Sequence, residues 1–380
     1  MNSQIKVVHL TTVHHPYDPR IYYKQCMSLY EAGYDVTLIA KKTSSQNDNN
    51  QNKIKHIPLK NYQSRFKRMI FGSIDLFKKA KKENAKMYVF HDPELLFIGW
   101  LLKKRDNIVI YDIHEDYVTS ILQKEYLPKW IRKFIAKMYR IIEKILIKRM
   151  EISLAEKYYK EIYKEGTCIL NYPLLEDIKH VNTVENNVIE NKLLYTGNVT
   201  EDRGALIQAE IPNINENVDV YFVGKCSAEL ANSMYTVAGK RKDQINIEGI
   251  EKFIEKEQME DTYNDHHWIA GIALFPPTDH YKKKELTKFF EYMNAGLPIL
   301  CSNFPKWKEF IDTYKCGITV DPYDKNAIYS AIEQLRNDVK LNREMGKNGK
   351  TAIVEKLNWK VEEAKLLNWY EQLIKDSGTS

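Results

Sequence analysis

Cysteine is scarce: Cys26, Cys168, Cys226, Cys301 and Cys316 are five in 380 residues, odd in number and scattered, with no C-x-x-C pair. A zinc knuckle or a disulfide framework is thereby excluded as the organising device, and a reducing compartment fits best. No apolar run approaches the roughly 18–20 residues of a membrane span. MNSQIKVVHL lacks the charged start, apolar stretch and small-residue cleavage site of a secretory signal, so the expected location is the cytoplasm. G-x-G-x-x-G is missing from the first strand-to-helix turns, which argues against a dinucleotide-dependent dehydrogenase. The tandem pairs His14–His15 and His266–His267 lack the i,i+4 spacing of helical metal ligands, and no metal is expected.

What is present is an ordinary globular composition, 43% hydrophobic and 28% charged, in a chain long enough for two cores. The net charge of +6 hides an asymmetry. Residues 1–170 carry 31 Lys and Arg against 18 Asp and Glu, whereas the remainder carries 26 against 33. One half is therefore near +13 and the other near −7, which predicts that only the first meets an anionic partner.

Taken in order, IKVVHL reads as a buried strand, TTVHHPYDPR as a loop, the segment from about Arg20 to Ala32 as a helix stopped by Gly33, and DVTLIA as the next strand. Thr43–Asn52 is a polar loop. KHIPL, a basic helix from about Ser64 to Lys86, MYVFH, a helix over ELLFIGWLLKK, and IVIYDIH continue a βαβ series with a parallel sheet. After CILNYP a polar stretch to about Val188 reads as a linker. A second α/β series then runs through NKLLYT, DVYFVGK, INIEGI, GIALFPP, LPILCS and GITVDP. In such sheets ligands lie beyond the carboxyl ends of the strands, where His14, Asp18, Arg20, His91, Asp92, His114 and Glu115 fall.

KWIRKFIAKMYRIIEKILIKRM, residues 129–150, is amphipathic. Lys133, Lys137, Arg140, Lys144 and Lys148 share one face, and Ile131, Phe134, Ile135, Met138, Ile142, Ile145 and Leu146 form the opposing stripe. A basic amphipathic helix suits an anionic membrane surface, each cation being worth about 1 kcal/mol there. The same pattern also describes a helix whose apolar stripe packs on the sheet. Phe66–Lys82 is a second basic, aromatic segment of this kind. No RNA-binding module surrounds either, so nucleic acid is not an expected partner.

KELTKFFEYMNAGLPILCSNFP, Lys284–Pro305, reads as a helix stopped by Gly296 and followed by a short strand. Lys288 and Glu291, three apart, share a face. A cation near a helix N-terminus meets phosphate, and a carboxylate one turn deeper accepts two neighbouring hydroxyls, which together outline a nucleotide. A surface helix with an ordinary ion pair has the same spacing.

This segment resembles the donor-binding helix of GT-B fold glycosyltransferases, in particular retaining family 4, whose pattern is P-x-K-x-x-E-Y-x-A-x-G-x-P. Lys288, Glu291, Gly296 and Pro298 match it, Leu286 stands where the pattern has Pro, and Lys283 stands where the family has a further Glu. Tyr195–Gly204 resembles the loop that meets the diphosphate, with Gly197 and Arg203 matching and Asn198 where many relatives have Arg. Gly249 and Ile250 resemble the segment whose backbone reads the base, and His114 the His that hydrogen-bonds the donor sugar.

The resemblance implies an α/β fold of two Rossmann-like domains with parallel sheets facing a cleft. Residues 1–175 would form the acceptor- and membrane-facing domain and 190–355 the nucleotide-sugar domain, with 356–380 a C-terminal helix crossing back. It further implies retaining transfer from a nucleotide diphosphate sugar, commonly UDP-linked, to a lipid-linked or polymeric glycan. His114, Arg203 and Lys288 would be catalytic; Gly197, Asn198, Gly249, Ile250 and Glu291 would hold the donor; His14, Asp18, Arg20, His91 and Asp92 would face the acceptor. D-x-D, which holds a metal in many GT-A enzymes, is absent, leaving cationic side chains and helix N-termini for the departing diphosphate and no cofactor to expect. A double displacement would need a carboxylate, for which Glu115 is the nominee. A nucleotide-sugar epimerase of the same fold and a non-catalytic partner subunit are the alternatives.

Overall fold

The computed structural model describes residues 4–42, 53–114, 117–122, 128–175, 189–279 and 281–378. The Thr43–Asn52 loop, Glu115 and the linker through Val188 thus lie outside the described residues, wholly or for the greater part. The chain divides into two compact units, Met1–Tyr172 with Trp359–Ser380, and Pro173–Asn358.

The first unit holds β1 (Lys6–Leu10), β2 (Asp35–Lys41), β3 (Lys55–Leu59), β4 (Met87–Phe90), β5 (Ile108–Ile113), β6 (Glu151–Leu154) and β7 (Thr167–Cys168) in the order β3-β2-β1-β4-β5-β6-β7. All pairings are parallel. The run IVIYDI, apolar except for Asp112, is buried on both faces because helices cover both sides of a parallel sheet. β6 has no counterpart in the sequence reading. EISL is four residues long and follows a helix without a turn signal, so only its pairing with β5 and β7 identifies it. Trp359–Gly378 packs within this unit: Trp359 Nε1 donates to Ser28 Oγ at 2.9 Å, and the buried Glu362 accepts the Leu170 N–H at 2.9 Å.

The second unit holds β8 (Lys192–Thr196), β9 (Asp219–Cys226), β10 (Ile245–Ile250), β11 (Ala270–Ala273), β12 (Ile299–Ser302) and β13 (Gly317–Val320), all parallel, in the order β10-β9-β8-β11-β12-β13. Each sheet reverses direction beside its first strand, the point at which open α/β sheets take ligands.

The basic helix spans Lys129–Leu146. It is anchored through Ala136, Tyr139, Glu143 and Leu146, and the greater part of its apolar stripe is left exposed. Trp130 is 72% exposed, Phe134 63% and Ile145 59%. Lys133, Lys137, Lys144 and Lys148 are exposed as well. Arg140 is the correction: its guanidinium donates to Glu143 and Tyr163, each at 2.8 Å, so this cation is spent inside the unit. The Leu96–Leu102 helix, with Phe97 and Trp100 outward, touches both this helix and Ser73–Glu83. Phe66 and Phe71, just before Ser73, are exposed too.

Candidate functional site

In the second unit the Thr287–Asn294 helix ends on a Schellman turn. Gly296, at φ +70°, donates to Met293 O at 3.0 Å, and Leu297 N donates to Tyr292 O at 2.9 Å. The turn sends the chain straight into β12, and the helix is thereby held against the carboxyl end of β8. Lys288, buried, donates from Nζ to the Thr196 carbonyl at 2.7 Å and sits 3.4 Å from the Tyr195 ring centroid. Burial lowers its pKa well below 10.5, the Arg203 charge adds to the lowering, and Glu291 opposes it. Glu291 accepts the Tyr263 hydroxyl at 3.2 Å, and that oxygen lies 3.0 Å from Thr196 Oγ1. Arg203 Nε donates to Tyr281 at 3.3 Å, and Tyr281 in turn donates to Asp202 at 2.7 Å.

Three glycines stack across the ends of β8, β9 and β10. Gly197 has φ +90° with open space where a side chain would stand. A Cβ on Gly224 would lie 2.1 Å from Gly197 O, and one on Gly249 would lie 2.4 Å from Gly224 O. Backbone can approach a ligand there because no side chain intervenes. Asn198 and Ile250 are exposed beside this stack.

In the first unit Asp112, fully buried at the end of β5, is the hub of a polar network. It accepts Arg20 Nε at 2.9 Å and Nη2 at 2.7 Å, Gln25 Nε2 at 3.0 Å, Ser153 Oγ at 2.7 Å and His91 Nδ1 at 3.0 Å. Burial alone would raise its pKa; Arg20, His114 and His91 more than offset it and hold the carboxyl well below 3.8. His91 donates from Nδ1, so its Nε2 accepts from His9 Nδ1 at 3.0 Å, and burial keeps both imidazoles neutral. His114 faces Asp112 through Nδ1 at 3.6 Å and His14 through Nε2 at 3.0 Å. His14 also lies 3.4 Å from Asp18 and from Asp92. For Asp18, burial works upward but the His14 hydrogen bond and the Ile21 N–H prevail, holding the carboxyl at about 2.

Among the described residues, His91, Asp112 and His114 form the one group whose potential ligand atoms all lie within 4.8 Å of each other. Both Asp112 oxygens are already taken by the Arg20 guanidinium, whose charge repels a second cation. The group is an ion-paired hub, and its chemistry does not suit a metal.

Residues 247–352 match the sequence profile of the family described as Glycosyl transferases group 1. The whole chain superposes on solved glycosyltransferase folds. Its fold is GT-B. Sucrose-phosphate synthase from Thermosynechococcus elongatus is 17% identical, with a TM-score of 0.71 over 98% of this chain and 100% of that one. WaaG, a glycosyltransferase involved in lipopolysaccharide biosynthesis, is 13% identical, with a TM-score of 0.64 over 95% and 98%. HepE from Anabaena, solved in complex with UDP-glucose, is 10% identical, with a TM-score of 0.67 over 97% and 100%. No curated protein matches the chain at the level of sequence.

Within this GT-B fold, Gly197, Arg203, Gly249, Lys288 and Glu291 converge at the end of β8 and its neighbours. Of the acceptor-side set, His14 and Asp18 keep partial exposure, as does His114. Arg20, His91 and Asp92 do not present their groups to solvent, which corrects their reading as residues facing an acceptor. Arg20 is consumed by Asp112 and Ile169 O, and Asp92 by the Thr11 and Thr12 hydroxyls and the Val13 N–H. Asp112, Gly224, Tyr263 and Tyr281 were not singled out from sequence. Of these only Gly224 left a local signal, a glycine near the end of a strand.

Proposed function

We propose that the chain is a metal-independent, retaining glycosyltransferase of family 4. It would move a hexosyl or N-acetylhexosaminyl group from a nucleotide diphosphate sugar, UDP-linked, to a lipid-linked or polymeric glycan acceptor of bacterial surface polysaccharide synthesis. The observation that carries this reading is the convergence of Glu291, Lys288 and Arg203 on the Gly197 turn. In this reading Glu291 would accept two ribose hydroxyls, and the open backbone at Gly197 would leave room for a diphosphate. Lys288 and Arg203 supply the charge that its departure requires. His114, its Nδ1 turned to Asp112, is the group that would hydrogen-bond the donor sugar. The leaving phosphate takes the acceptor's proton in this scheme, so no separate base is required. HepE's complex with UDP-glucose supports the choice of base.

Calorimetric titration of UDP, GDP, ADP and CMP tests the donor site. UDP is expected to bind, and Glu291→Ala and Arg203→Ala are each expected to weaken it by about ten- to a hundredfold, the value of a charged hydrogen bond. Lys288 adds a proton signature. Its lowered pKa means that the unfolded chain holds more protons than the folded one in the window below 10.5, so the unliganded protein gains stability as pH rises through that window. A bound diphosphate favours the ammonium and raises that pKa again, so at pH values between the free and the bound pKa binding takes up a proton, and the measured enthalpy there should shift with the buffer's ionisation enthalpy. A folded protein that binds none of the four nucleotides would point to the non-catalytic subunit.

The exposed Phe66, Phe71, Phe97, Trp100, Trp130, Phe134 and Ile145, interleaved with Lys133, Lys137, Lys144 and Lys148, support peripheral attachment to an anionic inner membrane face. The first unit, with its C-terminal helix, carries 34 Lys and Arg against 22 Asp and Glu. Vesicles containing anionic lipid should co-sediment the protein, and Phe134→Glu with Ile145→Glu should release it. Equal sedimentation with neutral vesicles would count against the attachment.

A further inference from the structure

A cavity of about 480 Å³ opens in the first unit beyond the carboxyl ends of β1, β2 and β3. Thr12 and His15 line it from the loop after β1, Lys41 and Lys42 from the end of β2, Lys60 from the end of β3, and Arg68 from the helical segment Arg68–Gly72. Among the described residues, none that lines it is a carboxylate. Two of the four cations are fixed by the fold. Arg68 is held by Glu94 through Nε and Nη2, each at 3.2 Å, and Lys41 Nζ donates to Val13 O. Glu94 is itself steadied by the Thr12 hydroxyl at 2.5 Å. Lys42 and Lys60 are exposed and have no ion-pair partner among the described residues.

Like charges gathered around one cavity repel, and an anion relieves that repulsion. The volume suits a small molecule or one end of a larger one. Three ammonium groups suit phosphate oxygens, which accept from point charges, while Arg68 has its Nε–Nη2 fork on Glu94 and lines the cavity as a paired group. We propose that this cavity binds a phosphate or diphosphate group, and that the group belongs to the acceptor. The second half of the statement rests on the transferase reading; the first half does not.

The test titrates inorganic pyrophosphate into the full chain and into the Lys42→Gln/Lys60→Gln variant, with UDP titrated into both. Both lysines are exposed, so the variant should fold, as circular dichroism would verify. Pyrophosphate affinity is expected to fall by about tenfold or more, with UDP binding unchanged. Equal pyrophosphate binding by both proteins overturns the proposal. So does UDP binding without any pyrophosphate binding, and that outcome leaves the transferase reading intact. A lysine-dependent loss of pyrophosphate with no UDP binding does the reverse, keeping the anion site and removing the donor site.

Competition then identifies the source. Displacement of pyrophosphate by a soluble hexose phosphate assigns a free sugar phosphate. Displacement only by vesicles carrying a polyprenyl phosphate assigns a lipid carrier. Displacement by neither overturns the assignment to an acceptor.

Discussion

Asp112→Asn is expected to lower the unfolding free energy of the first unit by about 3–5 kcal/mol, the cost of breaking a buried ion pair on one side. Arg20 is 3% exposed and gives two donors to Asp112. An amide in place of the carboxylate leaves that guanidinium charged and uncompensated, with an NH2 group among donors that need an acceptor. Only one acceptor oxygen survives, so either His91 and Gln25, which share Oδ2, or Ser153, on Oδ1, loses its acceptor as well. Urea unfolding of the two proteins measures the difference. The double variant Arg20→Met/Asp112→Leu removes both charges and should recover the part of the loss that comes from the uncompensated guanidinium, while the Gln25, Ser153 and His91 donors stay without an acceptor. A single-variant loss below about 1 kcal/mol would sink this account of the hub. The pH dependence follows from the lowered carboxyl. Its stabilisation is present above 3.8, and is lost as pH falls through 3.8 toward the folded value.

Gly224→Ala is expected to cost at least about 1–3 kcal/mol in stability and to remove UDP binding. At φ +152° its Cβ would stand 2.1 Å from Gly197 O and 2.5 Å from Gly197 C. Both obstacles are backbone, so no rotamer change relieves them, and the Gly197 turn must move. Gly239→Ala is the matched control. It too has positive φ, +58°, but nothing lies within 4 Å of its Cβ, so it should show strain alone and bind UDP normally. Thermal unfolding and calorimetry on both variants separate the two effects. Indistinguishable behaviour of the two would refute a role for the stack in shaping the donor loop.

Much of the second unit's site was legible before the fold. Lys288 and Glu291 lie on one short helix, where a spacing of three fixes their common face, and Gly296 marks its end. The first unit was less transparent. Arg20, His91 and Asp92 sit where ligands are met in α/β sheets, but a polar residue at a strand end serves a ligand or the loops equally well. Burial decides between the two, and burial is not a local property. The Lys129–Leu146 helix makes the same point in reverse. Its periodicity was plain, yet an apolar stripe reads alike whether it faces a sheet or solvent.

The sequence by itself determined two parallel α/β series, the charge difference between the two halves of the chain, and a short helix with Lys288 and Glu291 on one face. Short apolar runs alternating with amphipathic helices have few other ways to bury themselves. Tertiary structure alone decided the partners of those charges. Arg20 and Asp112 are 92 residues apart, as are Thr196 and Lys288, and Gly197, Gly224 and Gly249 meet only because β8, β9 and β10 are neighbours. Strand order comes from packing and the handedness of crossovers over the whole sheet. No window of sequence contains that information.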